Sequence, residues 1–534
     1  MFMHFASRAA AAIALAVSMT AVAPNFAVAQ TTAFRQAVAE GAARDDVVAE
    51  FYRARTFEGI WTGTSEAAQA RRNALLTAFA NASDHGLPED LYDPQALMAR
   101  MQAATTAADQ GAVEVELTQL YLSYARDIQT GILTPGRVVS DIKREVPLRD
   151  RSGYLDGIMA GNPQAYLASL PPSSPEYARL LREKLRMEVL LANGGWGPTV
   201  PGGKLEPGDT GARVVALRDR LVAMGFMDRS VTRSYDAALQ VAVMDFQTAH
   251  GLTADGIAGE GTLQELNIPA SRRLEQVIVA MERERWTNFE RGDRHIWVNM
   301  TDFSAAIVDH GSVTFSTRSV IGALDEDRQS PEFSDVMSHM VINPSWYVPR
   351  SIIVGEYLPA LQRNRNAVGH IEITDRNGRV VNRGAVNFSQ YNARTFPFAM
   401  RQPPSSRNAL GLVKFMFPNQ YNIYLHDTPA KSLFGREVRA FSHGCIRLND
   451  PFDFAYALLA VQEADPVGVF QGILNTGRER RVNLDAPVPV HLVYRTAFTH
   501  TTGLLNFRRD VYSRDSRIWN ALANEGVVVR AFEG

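Results

Sequence analysis

Along residues 30–200 the apolar positions recur at helical spacing. Leu117, Leu120, Tyr121, Tyr124 and Ile128 form one stripe, closed by Gly131 and then Pro135. Leu75, Leu76, Phe79 and Ala82 make a similar face that stops at His85-Gly86. After a Pro/Gly-rich stretch from Gly195 to Pro207, one helical run turns Leu217, Leu221 and Met224 inward and ends near Gly225. A second turns Leu239, Val243 and Phe246 inward and stops at His250-Gly251. Asp255-Gly256 reads as a turn, Thr262 and Leu263 open a third helix, and an amphipathic helix from Ser271 to Trp286 places Leu274, Val277, Ile278 and Met281 on its inner face. There the period changes from helical to alternating. Ile296 to Met300 alternate, Ala305–Val308 and Val313–Ser316 flank the turn Asp309-His310-Gly311-Ser312, and Met340–Ile342, Ile423–Leu425 and Val488–Val493 are short strand-like runs. Phe452 to Leu459 reads as a short helix. The pattern predicts a multidomain α+β chain whose helical parts precede a mainly β part.

Length and composition agree with this. The chain has 534 residues, 46% of them hydrophobic and 21% charged, with a formal net charge of −2. One core cannot serve so long a chain, and about three domains are expected. The charge balance argues against a nucleic-acid binder. At the N-terminus Arg8 precedes the apolar run Ala9–Val22, and Ala27-Val28-Ala29 forms a small-residue cleavage site before Gln30. Residues 1–29 therefore read as a secretory signal peptide, too short in its apolar run for a comfortable membrane span, with an uncleaved anchor as the alternative because Arg8 and the amino terminus are its only positive charges. No later stretch approaches a span, so the mature chain is expected outside the cytoplasm and free of a stable membrane anchor.

Compartment gives the cysteine count its meaning. Cys445 is the single cysteine in the chain, which excludes a disulfide framework and a multi-cysteine zinc site. It sits in Ser442-His443-Gly444-Cys445-Ile446-Arg447, the parts of an acyl-transfer site. A thiolate attacks a carbonyl, an imidazole moves protons, and a glycine lets backbone N–H groups approach an oxyanion. Two histidines compete as the base. His443 is two residues from the thiol along what reads as an extended segment; His426 stands nineteen residues earlier, at the end of a strand-like run, and can reach across from a neighbouring strand. Such a partner is expected to lower the thiol pKa. Tyr424 alternates with Leu425 and should face the same side as His426. Arg447 is a planar cation placed either to meet a substrate carboxylate or to brace the loop. No H-E-x-x-H cluster, P-loop or dinucleotide fingerprint occurs, so no metal or cofactor is expected.

Two resemblances sharpen the reading. Asp245-Phe246-Gln247, Gly251-Leu252, Asp255-Gly256-Ile257-Ala258-Gly259 and Thr262-Leu263 resemble the small three-helix peptidoglycan-binding domain of many cell-wall enzymes. Val320-Ile321-Gly322, Ser330-Pro331-Glu332-Phe333, Ile342 to Pro349, Asn408-Ala409-Leu410-Gly411, Tyr424 to Thr428 and Ser442 to Arg447 resemble the L,D-transpeptidase catalytic domain, and the whole chain is similar to the family's long Gram-negative members. Those resemblances imply a signal peptide (1–29), a helical scaffold (30–200), a peptidoglycan-binding domain (207–268) and a catalytic domain (285–534) with a capping insertion at about 350–401.

They also imply a periplasmic cysteine acyltransferase. It would take peptidoglycan stem tetrapeptides as donor and acceptor and form 3→3 crosslinks through a thioester. His426 would be the base, held by the backbone carbonyl of Asp427, while His443 would line the site. Gly444 and Cys445 would offer an oxyanion hole, with Ser442, Tyr424 and Arg447 on the substrate. Other outcomes stay open: water as acceptor gives an L,D-carboxypeptidase, another amine attaches a protein or D-amino acid, and a non-catalytic wall-binding protein would need only the helical unit. In papain-like or NlpC-like peptidases the cysteine precedes its histidine, the reverse of His426 and Cys445. Two positions depart from the family pattern: Pro404-Ser405-Ser406 where Pro-Gly is usual, and Ser330 where Thr is commoner, both distant from Cys445 in sequence.

Overall fold

The computed structural model describes residues 23–499 and 503–531. The signal-peptide reading falls mostly outside them; its last residues run into the helix Ala23–Ala42.

The first region is a helical bundle. Its 24-residue helix Ala107–Thr130 starts at a reciprocal cap between Thr106 and Asp109 and ends at Gly131, whose φ is +93°. A side chain at Gly131 would collide with the Glu282 carboxylate and the Trp286 ring. The core packs Tyr52, Trp61, Leu75, Phe79, Tyr121 and Ile128. A second, separate core belongs to helices Ala212–Ala223, Ala237–Ala249 and Glu260–Leu266, which enclose Leu217, Leu221, Leu239, Val243, Phe246 and Leu266.

Helix Ala270–Trp286 is the spine between the units. Its apolar face is as the spacing predicts, but the face that reads as polar is buried too. Charged residues survive there because they are paired, as burial demands. Arg283 bridges Glu332 at 2.7 Å and Asp515 at 2.6 Å, Arg514 also reaches Glu332 at 3.1 Å, Glu284 takes Arg291 at 2.9 Å as well as Arg495, and Arg285 meets Glu282 at 3.0 Å. Strands Ala497–Thr499 and Leu505–Phe507 and helix Arg514–Asn524 pack on this spine and on Pro175–Ala192. Phe507, Ile518 and Leu522, from the last part of the 285–534 unit expected from sequence, pack in a third core with Tyr177 and Leu180 of Pro175–Ala192 and Leu274 and Ile278 of the spine.

The remainder is a nine-stranded mixed sheet. Its order is Ala440–Ser442, Ser312–Gly322, Ile446–Leu448, Leu425–His426, Val413–Met416, Phe333–Ile342, Arg480–Val493, Arg294–Asn299, Ser304–Asp309. Helices Pro451–Leu459 and Pro466–Leu474 cover one face through Phe454, Leu458 and Phe470. The scaffold is stitched to the start of the interior strand Phe333–Ile342 by main chain: Lys143 N–H donates to Glu332 O at 2.8 Å and Glu332 N–H to Asp141 O at 2.9 Å. The capping segment forms a small lobe with its own three-stranded sheet, Trp346–Tyr347, Ala399–Gln402 and Glu372–Thr374, and its own core of Ile353, Leu358, Leu361, Ile373, Phe388 and Met400. Among the described residues no helix is long and apolar enough to cross a membrane.

Candidate active site

Two short parallel strands set the site. Leu425 lies beside Ile446 and His426 beside Arg447. Leu425 and Ile446 are fully buried in the sheet core, so strand alternation turns Tyr424, His426, Cys445 and Arg447 to the other face. Strand Val413–Met416 adds Lys414 directly beside His426. Across three strands the row reads Lys414, His426, Arg447, with Tyr424 and Cys445 in the row behind. Of this face, Tyr424, His426, Cys445 and Arg447 floor a cavity of about 1140 Å³ whose walls include Trp346, Arg350, Glu356 and Tyr357 of the capping lobe.

His426 is buried, and its Nδ1 faces the main-chain carbonyl of Asp427. A carbonyl only accepts, so Nδ1 carries the proton and Nε2 presents a lone pair. Burial, then the Arg447 charge and more weakly that of Lys414, push the ring down to about 3, against backbone contacts to Asp427 and Leu410. The Asp427 carboxylate is turned away: Oδ2 accepts from Leu412 N–H at 2.9 Å and Oδ1 pairs with Lys431 at 2.8 Å. Gly411, at φ +62°, is a glycine because a Cβ would lie 2.2 Å from that carboxylate.

Burial pushes the Cys445 thiol up to about 11, opposed by the main chain and side chain of Tyr424 and by the charges of Arg447 and Lys414. Its S–H donates to Asn422 O at 3.6 Å, and Asn422 holds a left-handed conformation at φ +55°. The resting pair is thus neutral thiol and neutral imidazole, where the sequence predicts a lowered thiol. The reason is desolvation: the partner histidine is itself buried among cations and adds no positive charge.

His443 does not share the cysteine's extended run. The backbone breaks at Gly444, φ +105°, and His443 Nε2 meets Glu356 of the capping lobe at 2.7 Å across the cavity mouth. Ser442 Oγ donates to Cys445 O at 2.6 Å and accepts from Gly444 N–H at 3.1 Å. That engages the Gly444 N–H that the sequence assigns to an oxyanion hole, so Ser442 organises the loop. Ser330, which reads as remote, donates from Oγ to Gly444 O at 2.7 Å and accepts from Gly322 N–H at 2.9 Å. Arg447 lines the cavity with its Nε buried and without a hydrogen-bond partner; among the described residues no carboxylate pairs with it. Tyr424 packs edge-on to His426 with ring centroids 5.6 Å apart.

Sequence reading missed Lys414, Asn422 and Glu356. Lys414 sits in the alternation Val413-Lys414-Phe415, but only the register of strands far apart in the chain tells which face it shares. Among the described residues no group of three or more His, Cys, Asp or Glu side chains could hold a metal ion.

A sheet-borne cysteine–histidine floor, a capping lobe over it and a separate three-helix unit define a multidomain α+β protein with a cysteine-centred pocket. Family matches agree with that division: residues 293–469 match the L,D-transpeptidase catalytic domain, 210–266 the family described as "Putative peptidoglycan binding domain", and 46–185 the scaffold domain. Over residues 293–469 the chain is thus similar to L,D-transpeptidases, with a peptidoglycan-binding and a scaffold domain matched beside that region. A Haemophilus influenzae (strain ATCC 51907 / DSM 11121 / KW20 / Rd) protein named "Putative L,D-transpeptidase" is 30% identical over 246 residues, 45% of this chain and 48% of that protein. The chain thus spans about half the length of the curated relative it matches. Two solved structures are similar at 13% identity: the L,D-transpeptidase of Xylanimonas cellulosilytica DSM 15894, covering 56% of this chain and 98% of that one at a TM-score of 0.18, and that of Stackebrandtia nassauensis, covering 56% and 97% at 0.21.

Proposed function

We propose that the protein is a periplasmic cysteine acyltransferase that forms 3→3 crosslinks between peptidoglycan stem peptides. The observation that carries this reading is the juxtaposition of Cys445 with Tyr424, His426 and Arg447 on one sheet face beneath the capping lobe. In the first half-reaction the Cys445 sulfur attacks the carbonyl carbon of the third stem residue. A C–S bond forms, the C–N bond to the terminal D-alanine breaks, and the amine leaves protonated. In the second, an amine of a neighbouring stem attacks the thioester; a C–N bond forms, the C–S bond breaks, and the sulfur regains its proton.

His426 Nε2 serves as the proton acceptor and donor. Because thiol and imidazole are both neutral at rest, proton transfer accompanies attack and does not precede it. Arg447 and Lys414 favour negative charge at the sulfur and at the developing oxyanion, joined by the Cys445 N–H. The three-helix unit supplies contact with wall polymer, and the signal peptide would carry the chain across the inner membrane.

Purified protein incubated with tetrapeptide-containing muropeptides should release D-alanine and yield dimers joined between two diamino acids, read by mass spectrometry. Release of D-alanine without dimers would instead establish an L,D-carboxypeptidase, and dimers lacking that linkage would point to a different acceptor amine. Sacculus binding with neither product would leave a wall-binding protein.

A further inference from the structure

Away from Cys445, the three-helix unit meets the spine and the C-terminal segment at a second cavity of about 370 Å³. Cavities of this size at a junction between units are favoured places for small ligands. One wall comes from the three-helix unit through Glu265, one from helix Ala270–Trp286, and one from helix Arg514–Asn524 with the residues just before it. The junction is clamped. Arg508 donates to Asp302 at 2.6 Å and to the carbonyl of Ala249 at 2.8 Å, and Thr253 N–H donates to Glu437 at 3.1 Å. Glu265 is held twice, by Arg509 at 2.7 Å and by Arg273 at 2.7 Å. The three-helix unit is therefore docked on the rest of the chain at this corner, and the cavity is shaped by all three walls together.

The lining selects a ligand by its chemistry. Four arginines and four carboxylates line the cavity, and every one of them is already engaged. Besides the Glu265 and Asp302 contacts, Arg272 pairs with Glu275 at 2.6 Å and Asp515 with Arg283 at 2.6 Å, while Asp510 accepts from the hydroxyls of Tyr494 and Ser516. Charges balanced in this way favour neither an anion nor a cation, yet they leave donors and acceptors along the edge. Against them stands an apolar wall of Ile268, Pro269, Val279 and Trp519. Trp519 is half-buried, and its indole N–H donates to none of the described groups. A neutral ring with C–H groups on its face and hydroxyls around its edge matches both halves of this lining, and that is a sugar. We propose that the cavity binds the glycan of the wall polymer, with one N-acetylhexosamine unit against Trp519 and its hydroxyls on the Arg272–Glu275 pair. The inference deepens the wall-binding role given to the three-helix unit and rests on it: that unit supplies part of the site, and the spine and C-terminal segment complete it.

The test uses the full-length protein and tetra-N-acetylchitotetraose, an uncharged oligomer of such a sugar, titrated by calorimetry beside pelleting with insoluble sacculi. Wild type should bind the oligomer saturably, with an affinity that added salt leaves unchanged because no ionic contact is being screened. Trp519→Leu should weaken binding by about tenfold, as the loss of an aromatic contact does. Trp519→Phe should keep most of the affinity, and Glu275→Gln should lower it several-fold. Trp519→Leu and Glu275→Gln should also pellet less with sacculi, while releasing D-alanine from soluble muropeptides at the wild-type rate. No saturable binding by wild type, an affinity that falls with salt, or oligomer binding or pelleting that neither variant alters would overturn the proposal. In each of those cases, pelleting by wild type would still uphold the wall-binding role of the three-helix unit. Failure of wild type to pellet would overturn that role and this inference with it. If Trp519→Leu does not fold, the near-isosteric Glu275→Gln decides.

Discussion

The hydroxyl of Ser330 donates to the carbonyl of Gly444 at 2.7 Å, tying the loop that presents Cys445 to a residue 114 positions earlier. The same oxygen accepts from Gly322 N–H, so one buried hydroxyl satisfies two backbone groups of the catalytic lobe. Removing it strands both. Ser330→Ala is expected to cost about 1–3 kcal/mol of stability and to lower D-alanine release, whereas Ser330→Thr should preserve both. Thermal denaturation beside a release assay separates the two variants; equal losses would contradict a role for the hydroxyl.

Cys445 alkylation reports the resting charge state directly, because no other thiol interferes. Iodoacetamide should react slowly at neutral pH and accelerate only as pH climbs toward about 11. The denatured chain should titrate near an ordinary thiol, about 8.5. Arg447→Met should shift the native profile higher still, since the guanidinium favours the thiolate. A native profile centred at or below that of the denatured chain would contradict the neutral resting pair.

The two histidines should separate cleanly. His426→Ala is expected to reduce acyl transfer by about 10²–10⁴-fold, the usual worth of a general acid–base group. His443→Ala removes an exposed contact to Glu356, worth no more than about 1 kcal/mol, and should lower turnover only a few-fold. Glu356→Gln should match His443→Ala, and the double variant should add nothing. Rates of D-alanine release under single-turnover conditions decide, and the reverse ranking would make His443 the base.

Glu332 joins the spine to the sheet through Arg283 and Arg514, with all three side chains buried. Replacing it by Gln leaves two buried guanidinium groups short of a counter-charge, a loss of about 3–5 kcal/mol for broken pairs of this kind. Urea unfolding should show it, and near-wild-type stability would mean that water or Asp515 compensates.

Acid should weaken the fold through its buried histidines. Burial holds His85 and His491 down to about 4, His426 to about 3 and His250 well below its ordinary value. Each binds its proton in the unfolded chain near pH 6.5 and not in the folded one. Stability is therefore present above about 6.5 and lost as pH falls toward 4. Asp515, held up to about 6, works in the opposite sense with one proton. The net slope should be on the order of 1 kcal/mol per pH unit or more, measurable by denaturant titration between pH 7 and 4.5.

Sequence by itself determined the elements with strong local signals. The stripe through Leu117 and Ile128, the Asp255-Gly256 turn and the hairpin at Asp309–Ser312 are written in nearest-neighbour periodicity and turn chemistry, and they form where the pattern puts them. The cluster around Cys445 was legible because its residues are contiguous, and Tyr424 and His426 because alternation assigns them one face. Tertiary structure alone decided the rest. Lys414 stands beside His426 through strand register, a relation between distant segments that no local pattern encodes. The charged face of helix Ala270–Trp286 is buried because partners from three other segments neutralise it. The protonation of Cys445 and His426 follows from the desolvation and neighbouring charges that the fold gathers around them, and both belong to the packed molecule.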